Sequence, residues 1–159
     1  MSLASLQAAL RGVHRVSLDT SIFLAQASAS DPRQALAQWL VDQVHAGRFD
    51  CVISAVSVAE MLVRPSATNL SEAIMAQAAL RSFPHLRIAS FTLDLAVDAA
   101  HVRATTKLKM PDAIVLATAM ANRIEAIVHA DDEWDKKAVP HASSLKIINL
   151  DHHCLPPPA

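Results

Sequence analysis

The chain has 159 residues, 52% of them apolar and 18% charged, with a formal net charge of −1. That length suits one domain with a real core, and the Ala-rich composition favours helix in an ordinary globular protein. The near-neutral balance excludes a chain that holds nucleic acid by bulk positive charge, so any such contact must rest on a local patch.

In chain order, residues 14–18 read as a buried strand leading into Asp19, and 20–27 as a helix. After a break at 28–31, Pro32 opens a helix in its preferred first-turn position. That helix carries apolar Leu36, Trp39, Leu40 and Val44, and Gly47 closes it. Residues 51–54 (CVIS) read as a short strand, followed by a helix over 57–63 closed by Pro65. The Ala-rich stretch 70–83 reads as helix, 86–89 (LRIA) as strand, and 92–108 as a long helix. Pro111 opens another helix to about Asn122, and strands at 124–129 and 146–150 complete the pattern. Ahead of the first strand, Leu3, Leu6, Leu10 and Val13 recur at helical spacing. This predicts an N-terminal extension, a short helix, over 1–13, one domain over 14–151, and a flexible tail over 152–159. Strands alternate with helices throughout, which argues for an α/β fold: a central parallel sheet flanked by helices on both faces.

Several chemistries fall away early. Gly12 and Gly47 are the two glycines, too few for a Walker loop or a dinucleotide fingerprint, and no G-x-S-x-G elbow can be written. Cys51 and Cys154 form neither a CxxC pair nor a zinc spacing. The richest apolar stretch, 110–130, contains Asp112, Arg123 and Glu125, so no membrane span is expected. Residues 1–13 lack the pattern of a signal peptide, and a cytoplasmic location is the expectation.

Open parallel sheets place their sites beyond the carboxyl ends of the strands. Asp19 directly follows the first strand, and Asp131 follows the strand ending at His129. Glu60 is placed in the first turn of the helix after the second strand, and Asp112 in the first turn of the helix opened by Pro111. Clustered carboxylates repel, and a hard divalent cation relieves that repulsion. Each acid also has a local reading: Ser57-Val-Ala-Glu60 fits a capping box, Asp112 suits a helix start, and Asp19 and Asp131 suit turns. Asp132 and Asp135 read as solvated helix-start charges in preference to ligands, and His101 and His129 as structural.

Four segments in order resemble the PIN domain family, most closely the ribonuclease toxins of VapBC toxin–antitoxin pairs. They are Val16-Ser-Leu-Asp-Thr-Ser-Ile-Phe-Leu-Ala25, Ile53-Ser-Ala-Val-Ser-Val-Ala-Glu-Met-Leu62, Met110-Pro-Asp-Ala-Ile-Val-Leu-Ala-Thr-Ala-Met120 and Asp131-Asp-Glu-Trp134. The third is the most specific. Where that family usually has a Thr-Asn-Asp type turn, this chain reads His129-Ala130-Asp131.

The resemblance implies a three-layer sandwich, one or two Mg²⁺ or Mn²⁺ ions, cleavage of single-stranded RNA, an antitoxin partner and a homodimer. It assigns the catalytic and metal-binding roles to Asp19, Glu60, Asp112 and Asp131, with Ser21 and Thr118 as supporting hydroxyls. The residues themselves add three points. Arg103, Lys107 and Lys109 approach the Pro-Asp-Ala motif, where they suit either phosphates or a helix C-terminal dipole, and Lys136 and Lys137 follow the fourth motif. The helix over 73–80 has few charges to solvate both faces, so it is buried in the monomer or against a second subunit. A PIN fold serving as a binding or scaffolding module with little or no nuclease activity is the alternative.

Overall fold

The computed structural model describes residues 3–138 and 144–154. Among them, five strands form one sheet: β1 (Arg15–Leu18), β2 (Asp50–Ser54), β3 (Leu86–Ala89), β4 (Ala126–His129) and β5 (Lys146–Asn149). Every neighbouring pair is parallel, in the order β3-β2-β1-β4-β5. The chain winds outward from β1 to β3, then returns to the other side of β1 for β4 and β5. The direction of winding therefore reverses between β1 and β4, which opens a crevice beyond their carboxyl ends.

Period-two alternation along the strands separates two cores. Val16, Leu18, Cys51, Ile53, Ala126 and Val128 face α1 (Leu3–Ala9), α2 (Thr20–Ala27) and α3 (Gln34–His45). Val52, Ala89 and Ile127 face the opposite way, toward α6 (Leu93–Thr106) and α7 (Met110–Ala121). Helices thus cover both faces, and β4 is buried along its whole length, as a central parallel strand must be. Each fully buried side chain such as Leu18, Ile22, Leu40 or Ile127 contributes about 1.5–3 kcal/mol by leaving water.

The helix ends follow from local chemistry. α3 closes in a Schellman motif: Gly47 N–H donates to the Val44 carbonyl and Arg48 N–H to the Gln43 carbonyl, each at 2.9 Å. Gly47 sits at φ +75, a left-handed backbone that favours glycine, and a Cβ there would also press on the exposed His85 ring, 2.8 Å from its Nε2. α3 begins at Gln34, two residues after Pro32, because Pro32 and Arg33 lie in the preceding turn.

α4 (Ala55–Thr68) departs from expectation at both ends. Ser54, the last residue of β2, caps it by accepting from Val56 N–H at 3.1 Å, so the helix starts earlier than read. Glu60 therefore lies in the second turn rather than the first. Ser57 does not cap: it is buried within α4, and its hydroxyl has no partner among the described residues. Pro65 sits inside the helix instead of closing it. On this solvent-facing stretch water can replace the one lost backbone bond, and the helix ends at Asn69, which also caps α5 (Leu70–Ser82) through Glu72 N–H at 2.9 Å.

α5 buries no residue within the chain and exposes Leu70, Ile74 and Met75. At the N-terminus, Leu6, Leu10 and Val13 are buried while Leu3 is not. At the C-terminus, Asp151–Cys154 form a short helix, α9, where the sequence reads a flexible tail from 152 onward. α9 is tied to α1 by a 2.9 Å hydrogen bond between Ser5 and His153. The rest of that tail, 155–159, lies outside the described residues. No described helix is long and apolar enough to cross a membrane.

Candidate functional site

The topological crevice fixes where two of the acids stand. Asp19 N–H donates to the Val128 carbonyl at 2.9 Å, the last rung between β1 and β4, so Asp19 is pinned at the sheet's edge. Its side chain caps α2. Oδ2 accepts from Ser21 N–H at 3.1 Å and from Ser21 Oγ–H at 2.7 Å. Ser21 Oγ in turn accepts from Ala130 N–H at 3.1 Å. One hydroxyl therefore joins the first acid to the end of β4, 109 residues away in sequence.

Asp131 caps α8 (Asp132–Lys137), its Oδ1 accepting from Glu133 N–H at 2.8 Å. The His129 imidazole stands at the end of β4, and its Nδ1 accepts from Asp131 N–H at 3.2 Å. Glu60 reaches the group through a neighbour: Thr20 Oγ1 donates to Glu60 Oε2 at 2.8 Å. Glu60, Ser21 and Ala130 also share a cleft of about 690 Å³ with apolar Leu24, Met61 and Val63. These hydrogen bonds engage one oxygen of each carboxylate, Asp19 Oδ2, Asp131 Oδ1 and Glu60 Oε2, and use the local capping roles to aim the acids.

Asp112 approaches Asp19 and Asp131 from the helix layer on the other face of the sheet. It occupies the first turn of α7, behind Lys109 at the N-cap. A helix N-terminus favours a carboxylate, yet the Asp112 carboxyl is pushed up from 3.8 to about 6. Burial is the largest cause, followed by the Asp19 carboxylate; Asp131 adds to it, while the Trp134 indole N–H and the Lys109 ammonium act in the opposite sense. This rise reports that Asp19, Asp112 and Asp131 share one electrostatic environment. Burial also holds the His129 imidazole below its ordinary range, so at neutral pH it adds no compensating charge.

Other residues singled out from the sequence have different duties. Thr118 is buried and donates its hydroxyl to the Ile114 carbonyl at 2.7 Å, within α7 rather than toward the acids. Its place nearly two turns beyond Asp112 explains this. Lys107 ends α6 in the left-handed region at φ +61, and its Nζ donates to the Ala104 carbonyl at 2.8 Å. Arg103 braces the same turn through the Leu108 carbonyl at 3.1 Å. Lys109 stands near Asp112 and lies 3.6 Å from Glu133 Oε2, while Arg33 and Arg64 line the cleft beside Glu60. Lys137 pairs with Glu133 one turn earlier at 3.1 Å. His101 is exposed on α6.

Acids thus stand at the switch point of an open parallel sheet, the edge where an α/β fold of this kind places its site. The PIN domain model matches residues 16–140, and the chain belongs to the PIN domain family. Its fold is similar to several solved structures. One is a toxin–antitoxin complex from Klebsiella pneumoniae, 23% identical, covering 82% of this chain and 94% of that one with a TM-score of 0.61. Another is FitAcB from Neisseria gonorrhoeae, 19% identical, covering 86% and 99% with a TM-score of 0.63. A third is VapC20 from Mycobacterium tuberculosis, a sarcin–ricin loop cleaving toxin, 22% identical, covering 70% and 86% with a TM-score of 0.57. No relative was found among curated proteins.

Proposed function

We propose that this PIN domain is a metal-dependent endoribonuclease acting on single-stranded RNA, and the toxin of a toxin–antitoxin pair. The observation that carries the reading is the setting of Asp112 at the crevice: burial first, then the carboxylates of Asp19 and Asp131, lift it to about 6. A cation relieves the repulsion among these carboxylates, and the free oxygens of Asp19, Asp131 and Glu60 supply the hard donors that Mg²⁺ or Mn²⁺ prefers. PIN domains are typically metal-dependent nucleases, and among the similar folds are a toxin–antitoxin complex and a sarcin–ricin loop cleaving toxin.

When bound, the ion would activate water and offset the negative charge that develops on the phosphate. The chain's own residues do the positioning. Ser21 holds Asp19 in place against the end of β4, and Thr20 holds Glu60. Asp112, raised to about 6, has lost its proton at neutral pH, and a cation bound there would offset the charge that the fold disfavours. Lys109 is the nearest ammonium for a substrate phosphate. The apolar side of the 690 Å³ cleft, next to Glu60, suits a hydrophobic segment of an antitoxin. The exposed apolar residues of α5 suit a homodimer.

A panel of labelled RNAs incubated with Mg²⁺, Mn²⁺ or EDTA tests the activity. Wild type should cut single-stranded RNA only with metal, and folded Asp19→Asn should not cut. Cleavage surviving in EDTA or in Asp19→Asn would sink the metal mechanism. Metal binding without cleavage of any RNA would favour a binding or scaffolding role for the fold.

A further inference from the structure

Beside the crevice lies a second group of metal-ligating atoms that the nuclease reading leaves unused. Asp132 and Asp135 stand three residues apart on one face of α8. Their ligand atoms and one from His152 all lie within 4.8 Å of one another. Among the described residues this is a tighter grouping than the four acids of the crevice form. The Asn149 amide, at the end of β5, donates to Asp132 Oδ1 at 3.2 Å and to Asp135 Oδ2 at 2.7 Å. The Asn149 side-chain Oδ1 accepts from Asp151 N–H at 3.0 Å, which starts α9 and sets His152 opposite. His152 Nε2 then lies 3.6 Å from Asp135 Oδ2. Asp132 and Asp135 are therefore helix-start acids, Asp132 exposed as the sequence suggests, and both are held by the Asn149 amide. Among the described ion pairs neither meets a lysine or arginine.

An independent observation comes from behind the cluster. The His129 side chain is 0% exposed, and its Nε2 has no hydrogen-bond partner among the described residues. Its Nδ1 accepts from Asp131 N–H, so the neutral ring carries its proton on Nε2. That N–H points at Asp135, 3.6 Å from Oδ1, just beyond hydrogen-bonding distance. A buried donor left open costs about 1–3 kcal/mol. A small rotation of Asp135 satisfies it while the other oxygen faces Asp132 and His152. An outer donor gripping the back of a carboxylate is the usual support of a metal ligand.

We propose that Asp132, Asp135 and His152 form a site for a divalent transition-metal ion of the Zn²⁺ class, separate from the acids of the crevice. An imidazole nitrogen among carboxylate oxygens favours Zn²⁺ over Mg²⁺ or Ca²⁺, which prefer oxygen alone. Three protein ligands leave a position for water. The ion would clip α9 onto α8, the helix that Asp131 caps.

The test uses full-length protein stripped of metal, titrated with Zn²⁺ by calorimetry and with Co²⁺ by visible absorption. Wild type and Asp112→Asn should each bind Zn²⁺ here with similar affinity, and millimolar Mg²⁺ should not displace it. His152→Ala should weaken this binding at least tenfold. His152 is 63% exposed, so that variant should fold, which circular dichroism checks. Asp135→Asn should weaken it to a similar degree. Unchanged Zn²⁺ affinity in folded His152→Ala overturns the proposal. So does loss in Asp112→Asn with retention in His152→Ala, or no binding at millimolar Zn²⁺. Because the readout is Zn²⁺ rather than RNA cleavage, this outcome and that of the nuclease assay are independent.

Discussion

Asp112→Asn should stabilise the metal-free protein at neutral pH, although it removes a residue assigned to the active site. The carboxyl is raised from 3.8 to about 6, so the fold disfavours its charged form. Between those values the folded state holds a proton that the unfolded state has released, and stability therefore falls as pH rises through that window. That difference corresponds to about 3 kcal/mol at pH 7.5 and about 1 kcal/mol at pH 4.5. Screening by the solvent that reaches this half-buried group lowers the neutral figure to about 1–3 kcal/mol. Asparagine keeps the shape and an acceptor for the Trp134 N–H but carries no charge. In EDTA at pH 7.5 it should raise the melting temperature by roughly 2–12 °C. The gain should shrink about threefold at pH 4.5. Added Mn²⁺ should stabilise wild type more than the variant, because only wild type keeps the full ligand set. Equal stability of the two proteins at pH 7.5 in EDTA, or a gain that does not change with pH, would refute the electrostatic account of the crevice.

Ser21→Ala should weaken Mn²⁺ binding about 10–100-fold in calorimetry and destabilise the fold by about 1–2 kcal/mol in urea, because Asp19 and the Ala130 N–H both lose their partner. Ser21→Thr should recover most of the affinity. Lys109→Ala should weaken single-stranded RNA binding and reduce its salt slope by about 0.7, with Lys107→Ala nearly silent because its Nζ already caps α6. Filter binding across salt concentrations separates the two, and equal losses would contradict the assignment. Light scattering at micromolar concentration should give the mass of a dimer, and a clean monomer would leave the exposed face of α5 without its proposed partner.

The fold is legible where a physical rule ties sequence to topology. Alternating strands and helices imply a parallel sheet, and an acid directly after a strand falls on the carboxyl edge, so Asp19 and Asp131 can be placed from the chain alone. Glu60 falls one turn away from its expected place because Ser57-Val-Ala-Glu60 imitates a capping box, while Ser54, three residues earlier, makes the cap. The period of three that makes both serines plausible carries no information about which one the strand leaves at its end. Pro65 misleads for a related reason: proline removes one bond, and that loss is small on a face open to water. What no local pattern reveals is contact at a distance. The bridge from Ser21 to Ala130, the donation from Thr20 to Glu60, and the meeting of α8 with α9 all join segments far apart in sequence. They exist only once β2 and β4 lie on either side of β1, and β5 beside β4.

α8 shows how much of the crevice rests on one short element. Asp131 caps it, Glu133 faces Lys109, and Trp134 is its one buried residue. The Trp134 ring stacks on His129 at 5.4 Å, and its indole N–H serves Asp112. Trp134→Ala would empty a large buried volume and cost about 3–5 kcal/mol, which confuses packing with electrostatics. Trp134→Phe separates the two, since it keeps an aromatic ring against His129 and removes only the N–H and part of the volume. The indole N–H is one of the groups that hold the Asp112 carboxyl down, so its loss should lift that carboxyl above about 6. A metal competes with the proton for this oxygen, and the pH at which Mn²⁺ binding is half-maximal should therefore rise. Calorimetric Mn²⁺ affinity measured from about pH 5.5 to 8.5 in both proteins reads that midpoint directly. A variant that is less stable but titrates at the wild-type pH would show that Trp134 is a packing residue alone. A midpoint displaced upward would make it part of the machinery that tunes the acids.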